Sequence, residues 1–168
     1  MSLLVPEKIY ETVYDIPLEY LVKKGIKLVM LDIDNTLVTY DDEVPTQENL
    51  EWFSALKALG INIVFLSNNN IDRVEKYCKG LDALYFADAH KPLVRFHNAA
   101  IRHFGVHPSE CMAIGDQLFT DVLAAHMIGA RAIKVSPIKD LTGSFTRFKR
   151  KCEIPFVNLY YRKNKEDV

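Results

Sequence analysis

The chain has 168 residues, a length that fits one domain with a full hydrophobic core and leaves no room for a second. Hydrophobic residues make up 49% and charged residues 26%, as in an ordinary soluble globular protein, and the net charge of −1 excludes a globally acidic or basic surface. No apolar stretch approaches the ~18 residues of a membrane span, and the N-terminus lacks the basic and long apolar regions of a secretory signal. Three isolated cysteines, Cys78, Cys111 and Cys152, predict reduced thiols. We therefore expect a single cytoplasmic domain over residues 1–168.

Strand and helix patterns alternate along the chain. A short amphipathic helix is expected at residues 16–24, before Gly25. Strands are expected at 27–33, 61–66, 83–86, 111–114 and 131–135, and helices between them at 46–59, 71–78, 92–104 and 119–127. This alternation predicts an α/β fold whose core, residues 27–135, is a parallel sheet with right-handed crossovers.

The first of these strands ends in two acidic residues. Asp32 and Asp34 follow the apolar run 28–31, and two carboxylates are costly to place at a buried strand end without a charge partner. Open α/β sheets bind their ligands at such ends. The pair suggests a carboxylate nucleophile beside an acid/base carboxylate, held together by a divalent cation. A surface turn that happens to contain two acids is the alternative.

Three later segments favour the functional interpretation. Ser67 follows the second strand, Lys91 precedes the fourth helix, and Asp116 follows the fourth strand with Asp121 close behind. Alone, Ser67 could be a helix-entry residue and Lys91 a solvated surface lysine. In a doubly wound fold these positions converge on one edge of the sheet. A hydroxyl, an ammonium and several carboxylates meeting there are what phosphoryl transfer with magnesium requires.

Taken together, the motifs resemble the four ordered signatures of the haloacid dehalogenase (HAD) superfamily. These are Asp32-x-Asp34-x-Thr36-Leu37, Ser67-Asn68, Lys91-Pro92, and Gly115-Asp116 with Asp121. Asn35 before the threonine is most similar to subfamily IIIA, and residues 6–10 and 115–122 resemble the bacterial YqeG-type phosphatases, which are related to phosphatidylglycerophosphate phosphatases. The resemblance implies a three-layer, Rossmann-like fold and a magnesium-dependent phosphomonoesterase that forms an aspartyl phosphate.

The resemblance also implies roles for individual residues. Asp32 would be the nucleophile, Asp34 the general acid and base, and Lys91 the cation that neutralises phosphate and nucleophile. Ser67 and backbone amides near Asn68 would hold phosphate oxygens.

Magnesium would be held by Asp32, the backbone carbonyl of Asp34, and Asp116. Asp121 is expected to support the site from behind, and Thr36 to order the loop by hydrogen bonding. His90 is expected to be structural or part of a substrate loop.

The spacing of the motifs leaves no room for a cap domain. Only residues 39–45 separate the first strand from its helix, and residues 70–90 hold one helix and one strand. The site should therefore be open, which favours large or surface-bound substrates. No Cys/His cluster lies between Asn69 and Lys91, so a zinc-loop sugar phosphatase is disfavoured.

Residues 137–168 form a basic, aromatic C-terminal segment. The aromatic and basic residues are Phe145, Phe148, Tyr160 and Tyr161, interleaved with Arg147, Lys149, Arg150, Lys151, Arg162 and Lys163. Such a segment could contact anionic lipid or nucleic acid, the second being disfavoured. A basic helix packed on the edge of the sheet is the structural alternative.

These observations favour a phosphatase acting on a lipid phosphate such as phosphatidylglycerophosphate, with peripheral attachment to the inner face of a membrane. One alternative is a soluble phosphatase of sugar phosphates or nucleotides, in which a neighbouring subunit of a homo-oligomer covers the site. The other is a non-catalytic domain that keeps the fold and serves as a binding partner.

Overall fold

The structure, a computed structural model, describes residues 2–139 and 144–165, and excludes the side chains of residues 144–149 and 165. The strands are β1 Lys8–Tyr10, β2 Leu28–Leu31, β3 Asn62–Leu66, β4 Leu84–Phe86, β5 Cys111–Gly115 and β6 Arg131–Val135. The helices are α1 Leu18–Lys23, α2 Gln47–Ala58, α3 Ile71–Cys78, α4 Arg95–Phe104, α5 Leu123–Met127 and α6 Ser144–Lys165.

The strands form one parallel sheet in the order β1-β6-β5-β2-β3-β4. At the centre, Leu31 of β2 is level with Phe65 of β3 and Ile114 of β5. The chain builds outward from β2 through β3 to β4, and then returns to the other side of β2 with β5. The switch in strand order therefore lies between β2 and β5, where an open α/β sheet forms its ligand crevice.

Helices cover both faces of the sheet. In β2, Val29 and Leu31 pack in the core under α1, α2 and α3, whereas Leu28 and Met30 pack in the core under α4, α5 and α6. A strand buried on both faces reads as a continuous apolar run, because neither set of alternating side chains meets water. The predicted α/β, Rossmann-like fold with a parallel sheet is confirmed.

The start of α2 shows how local sequence fixes an element. Thr46 and Asn49 form a reciprocal capping box, in which each side-chain oxygen accepts the other residue's backbone N–H at 3.1 Å. The buried Asn49 amide also donates to Tyr14 Oη at 2.6 Å and to the carbonyl of Leu37 at 3.2 Å. The same residue thus caps the helix and ties it to the loop that follows the first motif.

One strand was missed, one predicted helix start was wrong, and one predicted helix, at residues 119–127, is confirmed with an irregular first turn. Strand β1 was not predicted and lies outside the expected core of residues 27–135; its three residues pair with Ile133–Val135 at the edge of the sheet. Pro92 was expected in the first turn of a helix, but α4 begins at Arg95, because the preceding residues turn through a bond from Leu93 N–H to the carbonyl of His90. The segment expected to be helical from residue 119 begins with a π-helical turn, Leu118–Val122.

Loops and the C-terminal segment agree better with expectation. Residues 39–46 connect the first motif to α2, and residues 70–90 contain α3 and β4 and no inserted domain, as predicted. The C-terminal segment is the helix of the structural alternative, packed against a face of the sheet through Phe156 and Val157. The side chains of Phe145, Arg147, Phe148 and Lys149 lie outside the described residues. None of the described helices is both long and apolar enough to cross a membrane.

Candidate active site

Asp32 lies at the carboxyl end of β2, at the switch in strand order. Its backbone N–H donates to the carbonyl of Ile114 at 3.0 Å, which continues the β2–β5 ladder to the edge of the site. Its Oδ1 lies 2.7 Å from Lys91 Nζ, and its Oδ2 accepts a hydrogen bond from Thr36 Oγ1 at 3.1 Å. The predicted pairing of Asp32 with Lys91, and the hydrogen-bonding position of Thr36, are therefore present.

Lys91 bridges two carboxylates. Its Nζ also lies 2.7 Å from Asp121 Oδ1, and the Lys91 side chain is only 3% exposed. Burial alone lowers the pKa of Lys91, but the charges of Asp121 and Asp32 outweigh it and hold the pKa above its usual value. The ammonium therefore stays protonated.

The position of Lys91 is fixed by the loop after β3. Asn68 Oδ1 accepts the Lys91 backbone N–H at 2.7 Å, and Asn68 Nδ2 donates to the Lys91 carbonyl at 3.3 Å. The amide side chain of Asn68 is thus used to hold the lysine loop. This leaves the backbone amides of the segment, rather than that side chain, for contact with a ligand.

Asp121 is held from its other oxygen. Its Oδ2 accepts the backbone N–H of Gln117 and the hydroxyl of Thr120, both at 3.2 Å. A Cβ at Gly115 would overlap the Asp121 carboxyl, so only glycine leaves room for it at that point of β5. Asp121 therefore sits directly against Lys91, and its supporting role stays a prediction.

Asp116 follows β5 and is almost fully buried. Its Oδ2 lies 3.0 Å from Arg150 Nη2, and its Oδ1 has no hydrogen-bond partner among the described residues. Asp32, Asp116 and Asp121 each present a carboxylate oxygen within 4.8 Å of the other two. Three buried carboxylates with one orphaned oxygen fit a hard divalent cation such as magnesium, which prefers oxygen ligands.

The pKa values of two of these carboxyls are raised. Burial raises the pKa of Asp32 to about 6, against the opposing charge of Lys91. Burial, and then the charge of Asp32, raise the pKa of Asp116 to about 8. Negative charge is therefore under-compensated around Asp116, which is the condition a bound cation relieves.

The carboxylate of Asp34 lies outside this group of three. Its Oδ1 is 3.0 Å from Arg73 Nη2, and its Oδ2 accepts hydrogen bonds from Asn69 Nδ2 at 3.3 Å and Ser67 Oγ at 3.4 Å. Arg73 also donates to the carbonyl of Thr39 at 3.2 Å. The side chain that was expected to act as acid and base thus has its own set of partners, separate from the cluster that could hold a metal.

An open cleft of about 290 Å³ joins Asp32 and Lys91 to Asp34, whereas the buried Asp116 and Asp121 do not line it. It is lined by Asp32, Asp34, Tyr40, Ser67, Asn68, Asn69, Lys91, Gln117 and Thr120. Tyr40 is half exposed, and burial followed by the charge of Asp34 raises the pKa of its hydroxyl to about 12. His90 is exposed and does not line the cleft.

Sequence reasoning missed two arginines and a lysine at this site. Arg73 lies in the first turn of α3 and Arg150 in α6, where single basic residues usually face solvent. Lys134 is buried on β6 and donates to the carbonyl of Asp116 at 2.8 Å. For Lys134, a lysine within an otherwise apolar strand was a signal in the sequence that its side chain has a buried role. Nothing in the local sequence distinguished Arg73 and Arg150 from surface arginines.

The family is shown by comparison with known proteins. A model of the mitochondrial PGP (phosphatidylglycerophosphate) phosphatase family matches residues 1–138. The chain belongs to this family. The chain is 34% identical over 159 residues to the probable phosphatase YqeG of Bacillus subtilis, covering 95% of this chain and 92% of that protein. It is 25% identical over 168 residues to the mitochondrial phosphatidylglycerophosphatase GEP4 of Saccharomyces cerevisiae, covering 89% and 88%.

A solved structure supports the fold assignment. A HAD family enzyme of Bacteroides thetaiotaomicron, solved with magnesium and inorganic phosphate, superposes with a TM-score of 0.55 at 14% identity, over 70% of this chain and 98% of that one. The predicted resemblance to the YqeG-type phosphatases and to the phosphatidylglycerophosphate phosphatases is confirmed, and the fold is that of the HAD family enzyme. The chain is therefore a phosphatase, and the alternative of a non-catalytic binding domain is set aside.

Proposed function

We propose that this phosphatase hydrolyses phosphate monoesters with magnesium through a phosphorylated Asp32. The observation that carries the proposal is the buried cluster of Asp32, Asp116 and Asp121, in which Lys91 contacts Asp32 and Asp121 and in which Asp32 and Lys91 line the cleft. Asp32, Asp116 and the Asp34 carbonyl would hold magnesium. When bound, magnesium supplies the positive charge that lets a phosphate dianion approach a carboxylate.

The protein's own residues account for the bond changes. A carboxylate oxygen of Asp32 attacks phosphorus, the bond to the ester oxygen breaks, and protonated Asp34 gives its proton to the leaving oxygen. Asp34 then takes a proton from water, whose oxygen attacks the same phosphorus and releases inorganic phosphate from Asp32. Both carboxyl groups return to their starting states.

Other residues hold the phosphate and the acid. Lys91 neutralises charge on Asp32 and on the transferring phosphoryl group, and Ser67 with the amides that follow it donates hydrogen bonds to phosphate oxygens. Arg73 and Asn69 hold the Asp34 carboxyl at the cleft through bonds of 3.0 and 3.3 Å. Such positioning keeps the proton donor near the leaving oxygen.

We further propose phosphatidylglycerophosphate, at a membrane surface, as the substrate. The family and the name of the yeast relative support this choice. The open cleft supports it too, because a headgroup can be presented to it while the acyl chains stay in the bilayer. The exposed side chains of α6 combine apolar and basic character, in Ile154, Leu159, Tyr161, Lys151, Arg162 and Lys163, which suits peripheral contact with anionic lipid.

Phosphate release distinguishes this substrate from soluble ones. The purified protein would be assayed with magnesium on phosphatidylglycerophosphate in mixed micelles, a hexose phosphate, a nucleoside monophosphate and an aryl phosphate. We expect the lipid to give the highest kcat/KM, and chelation to abolish release from every substrate. A sugar phosphate or nucleotide preferred over the lipid would move the assignment to the soluble alternative. Undiminished activity after exhaustive chelation would remove magnesium from the mechanism.

A further inference from the structure

The C-terminal helix reaches the candidate active site from outside the region matched to the family model. That match ends at residue 138, and α6 begins at Ser144. Nevertheless, Arg150 Nη2 lies 3.0 Å from Asp116 Oδ2, with the two side chains 17% and 0% exposed. This ion pair joins a residue at the metal edge of the site to a helix whose contribution neither the motifs nor the family match assigns.

Contacts along the inward face of α6 keep Arg150 in place. Glu153, one turn further on, is buried, and its Oε1 accepts the backbone N–H of Leu118 at 2.7 Å. Phe156 meets Phe119 edge to face with ring centroids 6.2 Å apart. The helix is thus bound to the segment that directly follows Asp116, through contacts that do not involve the Arg150 side chain.

The two oxygens of Asp116 have different surroundings. Oδ2 carries the ion pair with Arg150, whereas Oδ1 is buried without a hydrogen-bond partner among the described residues. A carboxylate anchored by one oxygen presents the other in a fixed direction. Without the anchor, the carboxyl group could rotate away from Asp32 and Asp121.

We propose that Arg150 is a positioning residue, which holds the Asp116 carboxylate in the orientation that binds the divalent cation. The proposal rests on the function proposed above, since it assigns Arg150 to the metal site of that reaction. Its rival is simple competition, in which the guanidinium repels the cation and occupies the carboxylate that the cation needs. The two make opposite predictions, because positioning strengthens metal binding and competition weakens it.

Calorimetric titration of magnesium chloride into chelator-treated protein measures this directly. Losing a hydrogen-bond partner of a metal ligand typically costs about 10- to 100-fold in affinity, so we expect R150Q to weaken the magnesium Kd by that factor. R150K keeps the charge without the planar fork, and an intermediate loss is expected. K151Q, which removes the exposed neighbouring cation of the same helix, is the matched control and should keep the wild-type Kd.

Activity on an aryl phosphate gives a second readout. In R150Q, the magnesium concentration for half-maximal rate should rise by the same factor, while kcat and substrate KM at saturating magnesium stay within about threefold of wild type. A merely structural role would lower kcat at every magnesium concentration. Wild-type or tighter magnesium binding by R150Q would overturn the proposal.

Folding and the parent proposal are checked separately. Thermal melting of the metal-free proteins shows whether R150Q is folded; if it is not, R150K decides, and an unchanged Kd in R150K overturns the inference. Wild-type protein that neither binds magnesium nor needs it would instead overturn the proposed function, and this inference with it. Magnesium binding by wild type with no effect of either substitution overturns the inference alone.

Discussion

The two sides of the candidate active site, one around Lys91 and one around Asp116, balance their charges differently. On the Lys91 side, one ammonium lies 2.7 Å from both Asp32 and Asp121, so buried opposite charges compensate one another within the sheet edge. On the Asp116 side, the carboxylate meets a guanidinium at 3.0 Å that arrives from a helix 34 residues later. The pKa of Asp116 is raised to about 8, whereas that of Asp32 is raised to about 6.

The difference locates the excess of negative charge. Asp32 keeps a lower pKa than Asp116, because the ammonium of Lys91 offsets part of the cost of burying the Asp32 carboxylate. The charge of the Asp116 carboxylate is compensated less by neighbouring cations, so a metal ion that binds at Asp116 would be stabilised most. The Lys91 side therefore suits phosphate and nucleophile, and the Asp116 side suits the metal.

The largest effect is expected from the nucleophile on the Lys91 side. D32N keeps the shape of Asp32 but removes the carboxylate oxygen that would bond to phosphorus. We expect phosphate release to fall by at least about 10⁴-fold, as for removal of other catalytic nucleophiles, with little change in melting temperature. The D34N variant is the matched comparison. With an aryl phosphate, whose leaving oxygen needs little protonation, D34N should still form the phosphorylated Asp32. Turnover by D32N near the wild-type rate, with deamidation excluded by mass spectrometry, would rule out an aspartyl phosphate.

Next in size is the pH dependence of magnesium affinity on the Asp116 side. Below its pKa of about 8, Asp116 is protonated in the metal-free protein, and a cation must displace that proton. Apparent magnesium affinity should therefore rise with pH, by roughly tenfold from pH 6 to 7 and less steeply towards pH 8, or about 50-fold in total. Calorimetry in two buffers of different ionisation enthalpy measures the protons released. A flat affinity across that range would show that magnesium displaces no proton from a ligand carboxyl with a raised pKa.

Without magnesium, the stability of the folded protein should fall as pH rises, which is opposite to the expected rise in magnesium affinity. The folded-state pKa values of Asp116 and Asp32 lie above the usual value of 3.8. Their protonation therefore favours the folded state at low pH, and this contribution is lost as pH rises through about 6 and then about 8. Magnesium removes the penalty, so the increase in melting temperature on adding magnesium should grow from pH 6 to pH 8.

Sequence predicted the Lys91 side better than the Asp116 side. Asp32, Ser67, Lys91 and Asp116 each follow a strand in a parallel α/β pattern, so topology alone brings them to one edge. Arg150 was expected among surface cations, and it is buried against Asp116 instead. The packing of α6 depends on tertiary contacts of Glu153 and Phe156, which no local pattern encodes.

The same limit explains the missed elements. Strand β1 has three residues and is stabilised by pairing with β6, which lies more than 120 residues later. Helix α2 was predicted to within one residue at each end, because its capping box is local. Arg73 was missed because its role depends on Asp34, 39 positions earlier in the chain.

A smaller effect is expected from Arg73, which acts on the Lys91 side through Asp34. R73Q removes the ion pair at 3.0 Å but leaves the hydrogen bonds from Asn69 and Ser67. Because general acid catalysis typically contributes 10²- to 10⁴-fold, we expect loss of positioning to lower kcat by about 10- to 100-fold on an alkyl phosphate. An aryl phosphate needs little protonation of its leaving oxygen, so the loss there should be much smaller. Equal losses on the two substrates would assign Arg73 to phosphate binding or folding instead.

The smallest effect concerns the exposed side chains of α6. Lys151, Arg162 and Lys163 are exposed, as are Ile154 and Tyr161. Each cation near an anionic bilayer contributes about 1 kcal/mol before screening by salt. We expect replacement of the three by Gln to weaken sedimentation with phosphatidylglycerol-containing vesicles about tenfold at low salt. Hydrolysis of a soluble aryl phosphate should not change, because none of these three side chains lines the cleft. If the triple variant and the wild type bind the vesicles equally, or neither binds, the exposed cations of α6 do not attach the protein to a membrane. That result would favour a soluble substrate.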